Sequence, residues 1–370
     1  MTIGLCLADP HPDEVSDGSN RTISATHFAG RYRLVDFTLS NMVNSGIYSI
    51  AIILNSQYQN LITHIGTGKE WDLSRKSGGV TLFPPYLTDD RMPYSRERDE
   101  ALRRALDTVS GSKAEYVILT DCATLYNIDF RDVLATHRQN GGDITAVYSK
   151  KQVMDIERQS VIHYILDERG RLTGIQRAAY GTEDMNVSLG AFVLPKTTLL
   201  QLLARERFCD IIKFTREILA GALKSLKVIG YNFQGYSARI FSLDTFFYYN
   251  MDMLDSKKRN SLFFNQGRNI YTSGKDSLPT KYGANARITN SIVADGCQID
   301  GAVENCVMFR NVRVKEGAVV KNSILQMGAT VEKNAELDWI IADTSVIVTE
   351  NRKLMGSQTY PVYISREKIV

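Results

Sequence analysis

Two folded units are predicted by this sequence: an α/β domain whose mostly parallel sheet is covered on both faces, followed by a parallel β-helix. Three observations carry that expectation. A length of 370 residues exceeds one average domain. Apolar runs of strand length alternate with amphipathic helical stretches up to about residue 150. Beyond Tyr282 the texture turns to short β-branched pairs broken by Gly, Asn and Asp.

The first unit begins with the strand "TIGLCLA", and "SIAIILN", "AEYVILTD" and "DITAVYSK" follow as further strands. Between them "LVDFTLSNMVNSG", "YQNLITHIG", "EALRRALDTV" and "FRDVLATHRQNG" place apolar residues three and four apart, as helices do. From about 160 the pattern reads as a hairpin, "VIHYILDERGRLTGIQ", then the strand "VSLGAFVLP", two helices from about 197 to 221 and the strand "LKVIGYNF". "SLDTFFYYNMDML" is expected as a helix with a buried aromatic side, and "LPTKYG" as a linker. In the last part Val314 and Val320, and Val331 and Leu337, are six apart. That hexapeptide spacing predicts a β-helix with these four side chains stacked inside it, an antiparallel β domain being the alternative.

Composition excludes several classes of function. Hydrophobic residues make up 44% and charged residues 23%, with a net charge of +3, so there is no broad basic field for nucleic acid. No apolar run approaches the length of a membrane span and the first residues lack the basic region of a signal peptide, so a cytoplasmic location is expected. The five cysteines are widely spread without a C-x-x-C pair, which predicts packed, reduced thiols. All five histidines lie at or before His163, which argues against an acyltransferase using a histidine base in the β-helix. His27 and His64 have no partner at metal-ligand spacing and are expected to be packed side chains.

The loop after the first strand is the usual place for a nucleotide's phosphates, bound by backbone N–H groups on glycines. Here it reads "ADPHPDEVSDG". Pro10 and Pro12 lack an N–H, and Asp9, Asp13, Glu14 and Asp17 set like charge against any phosphate. Gly18 is its one glycine. The loop is built not to bind a triphosphate.

"HFAGRYRLVDFTLSNMVNSGI", residues 27 to 47, resembles the segment H-F-G-G-K-[FY]-R-[IL]-[IV]-D-F-x-L-S-N-x-x-N-S-G of ADP-glucose pyrophosphorylases, the glucose-1-phosphate adenylyltransferases. "KAEYVILTD", "VSLGAFVL" and "NMDML" follow in the family's order, so the resemblance covers nearly the whole chain. It implies a Rossmann-like nucleotidyltransferase domain over residues 1–255, a linker over 256–282 and a left-handed β-helix over 283–370. It also implies a tetramer and Mg²⁺-assisted attack of glucose 1-phosphate on the α-phosphorus of ATP.

The departures from the family pattern fall where that chemistry resides. Its loop G-G-x-G-T-R-L is absent. The metal aspartate of A-G-D-H aligns with Ala123, leaving Asp121 two residues earlier as a vestigial candidate, and the second metal aspartate, in D-V-G-T, aligns with Arg239. The sugar-phosphate motif F-V-E-K-P falls on Ile175, Gln176, Arg177, Ala178 and Ala179, without acid or lysine, and R-G-T-A-D-A is replaced by "RERDEA". Ser188, in "SLG", is one retained sugar-side position. Arg31 and Arg33 lie where the family forms an effector site for phosphorylated metabolites, although the neighbouring K-P is Ile23 and Ser24 here.

Losing one preorganised charge-stabilising group costs about 10²–10³ in rate. Loss of the loop, the metal carboxylates and the lysine together leaves little expected catalysis. The chain resembles the non-catalytic, GlgD-type regulatory subunit that accompanies a catalytic partner. The resemblance implies no cofactor for this chain, Mg²⁺ at the partner, a hetero-oligomer (a tetramer), self-association as a further option, and a sugar-phosphate effector. The competing reading is a catalytically competent sugar-phosphate nucleotidyltransferase with an atypical phosphate loop, and ATP binding by the isolated chain separates the two.

Overall fold

The computed structural model describes residues 1–8, 22–54, 57–85, 94–157, 161–177, 184–205, 210–274 and 276–370, with backbone alone for 94–98 and 205. The loop 9–18, Ala178, Ala179 and Cys209 therefore lie outside the described residues.

One nine-stranded sheet organises the N-terminal part. Its strands are β1 (Thr2–Leu7), β2 (Ser49–Ile53), β3 (Gly79–Phe83), β4 (Tyr116–Asp121), β5 (Ile144–Lys151), β6 (Ile162–Leu166), β7 (Leu172–Arg177), β8 (Met185–Pro195) and β9 (Val228–Asn232). β1 lies parallel between β2 and β4, β3 continues beyond β2, and the apolar run of β1 is buried, with Leu5 and Cys6 facing opposite cores. β8 runs against β4 and β5, the hairpin of β6 and β7 joins β8, and β9 lies parallel to β5. The sheet is thus mixed, with its parallel strands around β1.

Helices α1 (Leu34–Asn44), α2 (Gln59–Ile65) and α4 (Phe130–Asn140) cover one face through Val35, Leu39, Leu61 and Val133. On the other face lie α3 (Tyr94–Gly111), α5 (Lys196–Arg205) and the helical stretch 211–222, whose middle, Phe214–Leu219, is wound as a π-helix. "SLDTFFYYNMDML" forms α6 (Leu243–Asp252), started by the Ser242 side chain accepting from Thr245 N, and α7 (Ser256–Phe263) follows. No helix among the described residues is long and apolar enough to cross a membrane. Cys6, Cys122, Cys297 and Cys306 are buried free thiols.

The C-terminal part is a left-handed β-helix of three parallel five-stranded sheets. Its first strand, Lys281–Tyr282, pairs with Gln298–Ile299. Side chains stack coil upon coil: Val314 on Val331 on Val348 in one column, Val303 on Val320 on Leu337 in another. Val314, Val320, Val331 and Leu337 are all buried, as the hexapeptide spacing predicts. The corners need left-handed backbone, which asparagine tolerates better than most residues, and Asn290, Asn305 and Asn322 take it. Their side chains form a ladder from Asn290 through Asn305 and Asn322 to Asp338.

The two parts share one apolar cluster. Phe28 just before α1, Phe37 of α1, and Phe246 and Phe247 of α6 pack with Val307, Phe309, Ile324 and Ile341 of the β-helix.

Candidate functional site

In open α/β sheets, ligands bind outside the carboxyl ends of the parallel strands. Asp121 is the last residue of β4. Its Oδ1 accepts from the backbone N–H groups of Ala123 (3.3 Å) and Thr124 (3.2 Å). Its Oδ2 meets Arg239 Nη1 at 2.6 Å and the Thr124 hydroxyl at 3.3 Å. Arg239 arrives on the short strand Ala238–Arg239, which runs against Thr124–Leu125. Relative exposure is 1% for Asp121 and 8% for Arg239, so the pair is buried and each charge depends on the other.

Ser188 lies beside this pair. The register of β8 shifts between Ser188 and Ala191, a bulge that turns the chain at Gly190 (φ +62°). A Cβ on Gly190 would fall 3.1 Å from Asp121 Oδ2 and 3.4 Å from Arg239 Nη1, so glycine is required both by the backbone angle and by the close approach. Ser188 Oγ accepts from Gly190 N at 3.2 Å and bonds the Tyr164 hydroxyl at 2.6 Å. Burial pushes the Tyr164 phenol well above its ordinary range, so it remains a neutral hydroxyl. The structure thus brings Asp121 and Ser188 to one place, around Gly190.

A divalent cation held by protein needs several oxygen ligands around one point. Here Asp121 is already engaged by a guanidinium, Ala123 offers no carboxylate, and the described residues contain no group of three or more His, Cys, Asp or Glu able to hold a metal. The residues present do not fit Mg²⁺. Of the sugar-phosphate motif positions, Ile175, Gln176 and Arg177 lie on β7 at the sheet edge.

Arg31 and Arg33 occupy a second place, a small cleft between the start of α1 and the β-helix. His27, His64 and Arg310 share its lining. Asp36 caps α1 by accepting from Arg33 N at 2.9 Å and also meets His64 Nε2 at 2.5 Å, which fixes both the helix start and the imidazole. Arg33 Nη1 donates to the Asn60 carbonyl at 3.0 Å, Arg31 lies over the Tyr32 ring, and Arg310 pairs with Asp295 at 3.0 Å. His64 is buried, as expected; the role of Arg310 is missed from sequence because only folding brings the β-helix against α1.

Known proteins resemble this chain along most of its length. The Nucleotidyl transferase family profile matches residues 20–203, and that of the GlmU-like, C-terminal hexapeptide matches residues 278–358. The chain is 32% identical to the glycogen biosynthesis protein GlgD of Bacillus subtilis over 349 residues, covering 94% of this chain and 90% of that protein. It is 34% identical to GlgD of Geobacillus stearothermophilus over 81% of this chain and 77% of that one. It is 30% identical to the glucose-1-phosphate adenylyltransferase of Fervidobacterium nodosum over 87% of this chain and 78% of that enzyme. The chain belongs to the glucose-1-phosphate adenylyltransferase family.

In this member of the adenylyltransferase family Ala123 offers Asp121 a backbone donor, and Arg239 supplies a cation that closes onto the same carboxylate.

Proposed function

We propose that the chain is a regulatory, catalytically impaired subunit of glucose-1-phosphate adenylyltransferase in glycogen biosynthesis. On this reading it joins a catalytic subunit in a mixed tetramer and raises that subunit's turnover or substrate affinity. The observation that carries the reading is the 2.6 Å contact of Arg239 with Asp121. Joining glucose 1-phosphate to the adenylyl group of ATP builds negative charge around phosphorus, and a bound Mg²⁺ supplies the compensating charge. In this chain Arg239 neutralises the nearby carboxylate, so Asp121 has no charge to spare for a metal, and Mg²⁺ is assigned to the catalytic partner.

Among the described residues the sheet, the β-helix and the apolar cluster between them are all built. A chain that keeps the scaffold and lacks the charge machinery is suited to acting on a neighbour. The cleft of Arg31, Arg33 and Arg310 supports a phosphorylated effector as the signal, because clustered guanidinium groups favour phosphate.

The test is reconstitution. The purified chain and a catalytic subunit of the family are mixed, assembly is followed by light scattering, and ADP-glucose formation is assayed with and without this chain. Association with a shift of about 5- to 150-fold in turnover or affinity is the expected result. Chains that stay apart, or associate with unchanged kinetics at all substrate and effector concentrations, overturn the reading. Mg²⁺-dependent turnover by this chain alone would instead establish a competent enzyme with an atypical loop.

A further inference from the structure

The guanidinium of Arg239 is only half used. Nη1 contacts Asp121 Oδ2 (2.6 Å) and Thr124 Oγ1 (3.2 Å). Nε and Nη2 are buried without a hydrogen-bond acceptor among the described residues. These two nitrogens form one edge of the planar group, with their N–H bonds pointing the same way, and two parallel N–H donors match two oxygens of a phosphate. A buried guanidinium edge without an acceptor carries its desolvation cost uncompensated. A ligand oxygen is what the edge lacks. Gly190, beyond which lie the hydroxyls of Ser188 and Tyr164, adjoins the Nη1 side of the same guanidinium.

We propose that Arg239 stands in for the divalent ion, as a cation built into the chain, and that its Nε–Nη2 edge holds a phosphomonoester without any metal. The disagreement between this site and Mg²⁺ is then a change of ligand chemistry from metal-bound to metal-free. Asp121 holds the guanidinium in place through Nη1 and leaves the other edge for the ligand. One edge serves one phosphate, so the ligand is a monophosphate: a sugar phosphate if the Ser188 side contributes, free phosphate if it does not. The inference rests on the catalytically impaired reading but not on assembly with a partner, so it is tested on the isolated chain.

The experiment is calorimetric titration of the full chain with glucose 1-phosphate and, separately, inorganic phosphate, each in EDTA and in excess MgCl₂. Binding that is the same in EDTA and in Mg²⁺ is expected. At least tenfold tighter binding of glucose 1-phosphate identifies a sugar phosphate, and equal affinities identify free phosphate; both support the metal-free edge. Arg239→Met should lose binding at least tenfold, and it should fold because Asp121 keeps its contacts to Ala123 N, Thr124 N and Thr124 Oγ1. Arg239→Lys decides the matter if the methionine variant does not fold, since it keeps the charge beside Asp121 but lacks the two-donor edge. No binding in EDTA, binding that requires Mg²⁺, or unchanged affinity in a folded Arg239 variant overturns the proposal.

Discussion

Arg239 Nη1 lies 2.6 Å from Asp121 Oδ2, with both side chains withdrawn from solvent at the carboxyl end of β4. The two members are not equally replaceable. Asp121 has three further donors in Ala123 N, Thr124 N and Thr124 Oγ1, whereas among the described residues the one other hydrogen-bond partner of Arg239 is Thr124 Oγ1.

Asp121→Ala should therefore destabilise the protein by about 3–5 kcal/mol, because it strands a buried cation. Arg239→Met should cost clearly less, and the double variant Asp121→Ala with Arg239→Met should recover part of the loss. Urea unfolding of the three variants checks this. Equal losses for the two single changes would contradict the inequality, and single losses that simply add in the double variant would show that the charges do not depend on each other.

The isolated chain should form negligible ADP-glucose from ATP and glucose 1-phosphate in the presence of Mg²⁺. Arg239→Asp places a second carboxylate beside Asp121 but restores neither the phosphate loop nor the sugar-phosphate lysine, so it should rescue little. Each missing group is worth about 10²–10³ in rate. A sensitive assay of product formation, on a preparation free of any catalytic subunit, is the measurement, and robust turnover by either protein contradicts the expectation.

Much of the fold is legible because the elements carry their own periodicities. β1, α1 and the Val314 and Val320 columns are readable from local spacing alone. β3 is not: it is a five-residue strand at the sheet edge with Thr81 exposed, so neither alternation nor a buried run marks it. At the site, the change of sign at Arg239 is visible in the sequence, but its closure onto Asp121 depends on the Ala238–Arg239 strand pairing with Thr124–Leu125. The need for Gly190 is likewise a property of the bulge in β8, which no local pattern announces.

Val320→Asp tests the β-helix. Val320 is wholly buried and stacked between Val303 and Leu337, so an aspartate there has no solvent and no cation. The loss should exceed about 3 kcal/mol and unfold the C-terminal part or disassemble the protein. Circular dichroism and light scattering report it, and a variant that melts like the parent would show that the column is not a closed core.

Acid should weaken the fold through His137. This imidazole is buried on α4, with Nδ1 2.9 Å from Thr145 Oγ1, and burial lowers its pKa below the ordinary 6.5, helped by Arg138 and opposed by Asp143. Unfolded chains protonate this histidine near 6.5 while folded ones do not, so the unfolded state binds more protons just below that pH. Its contribution is complete above about pH 6.5 and is lost as pH falls through the unfolded and then the folded pKa. Urea melts between about pH 8 and about pH 5 should show stability falling, with a shallower slope in His137→Gln. His163 is shifted the same way, chiefly by burial, so some slope remains in the variant. Parallel pH profiles for parent and variant would remove His137 as the cause.

The last prediction follows from helix α1, which touches both sites. At its start Arg33 faces the cleft, and Asp36 ties that start to His64; one turn further on, Thr38 Oγ1 donates to the carbonyl of Asp121 at 3.1 Å. An anion binding in the cleft would pull on Arg31 and Arg33 from one side and on Arg310 of the β-helix from the other, so it would bear on the end of α1 that is anchored to Asp121. If the chain regulates a partner by sensing a phosphorylated metabolite, Arg33→Ala and Arg310→Ala should each weaken the response of the mixed assembly at least fivefold while leaving its size unchanged. Asp36→Asn should also blunt the response, because it loosens the helix start without removing a cleft cation. The checks are light scattering for assembly and ADP-glucose formation against effector concentration. An unchanged effector curve in both arginine variants, with assembly intact, would place the sensing site on the catalytic subunit instead.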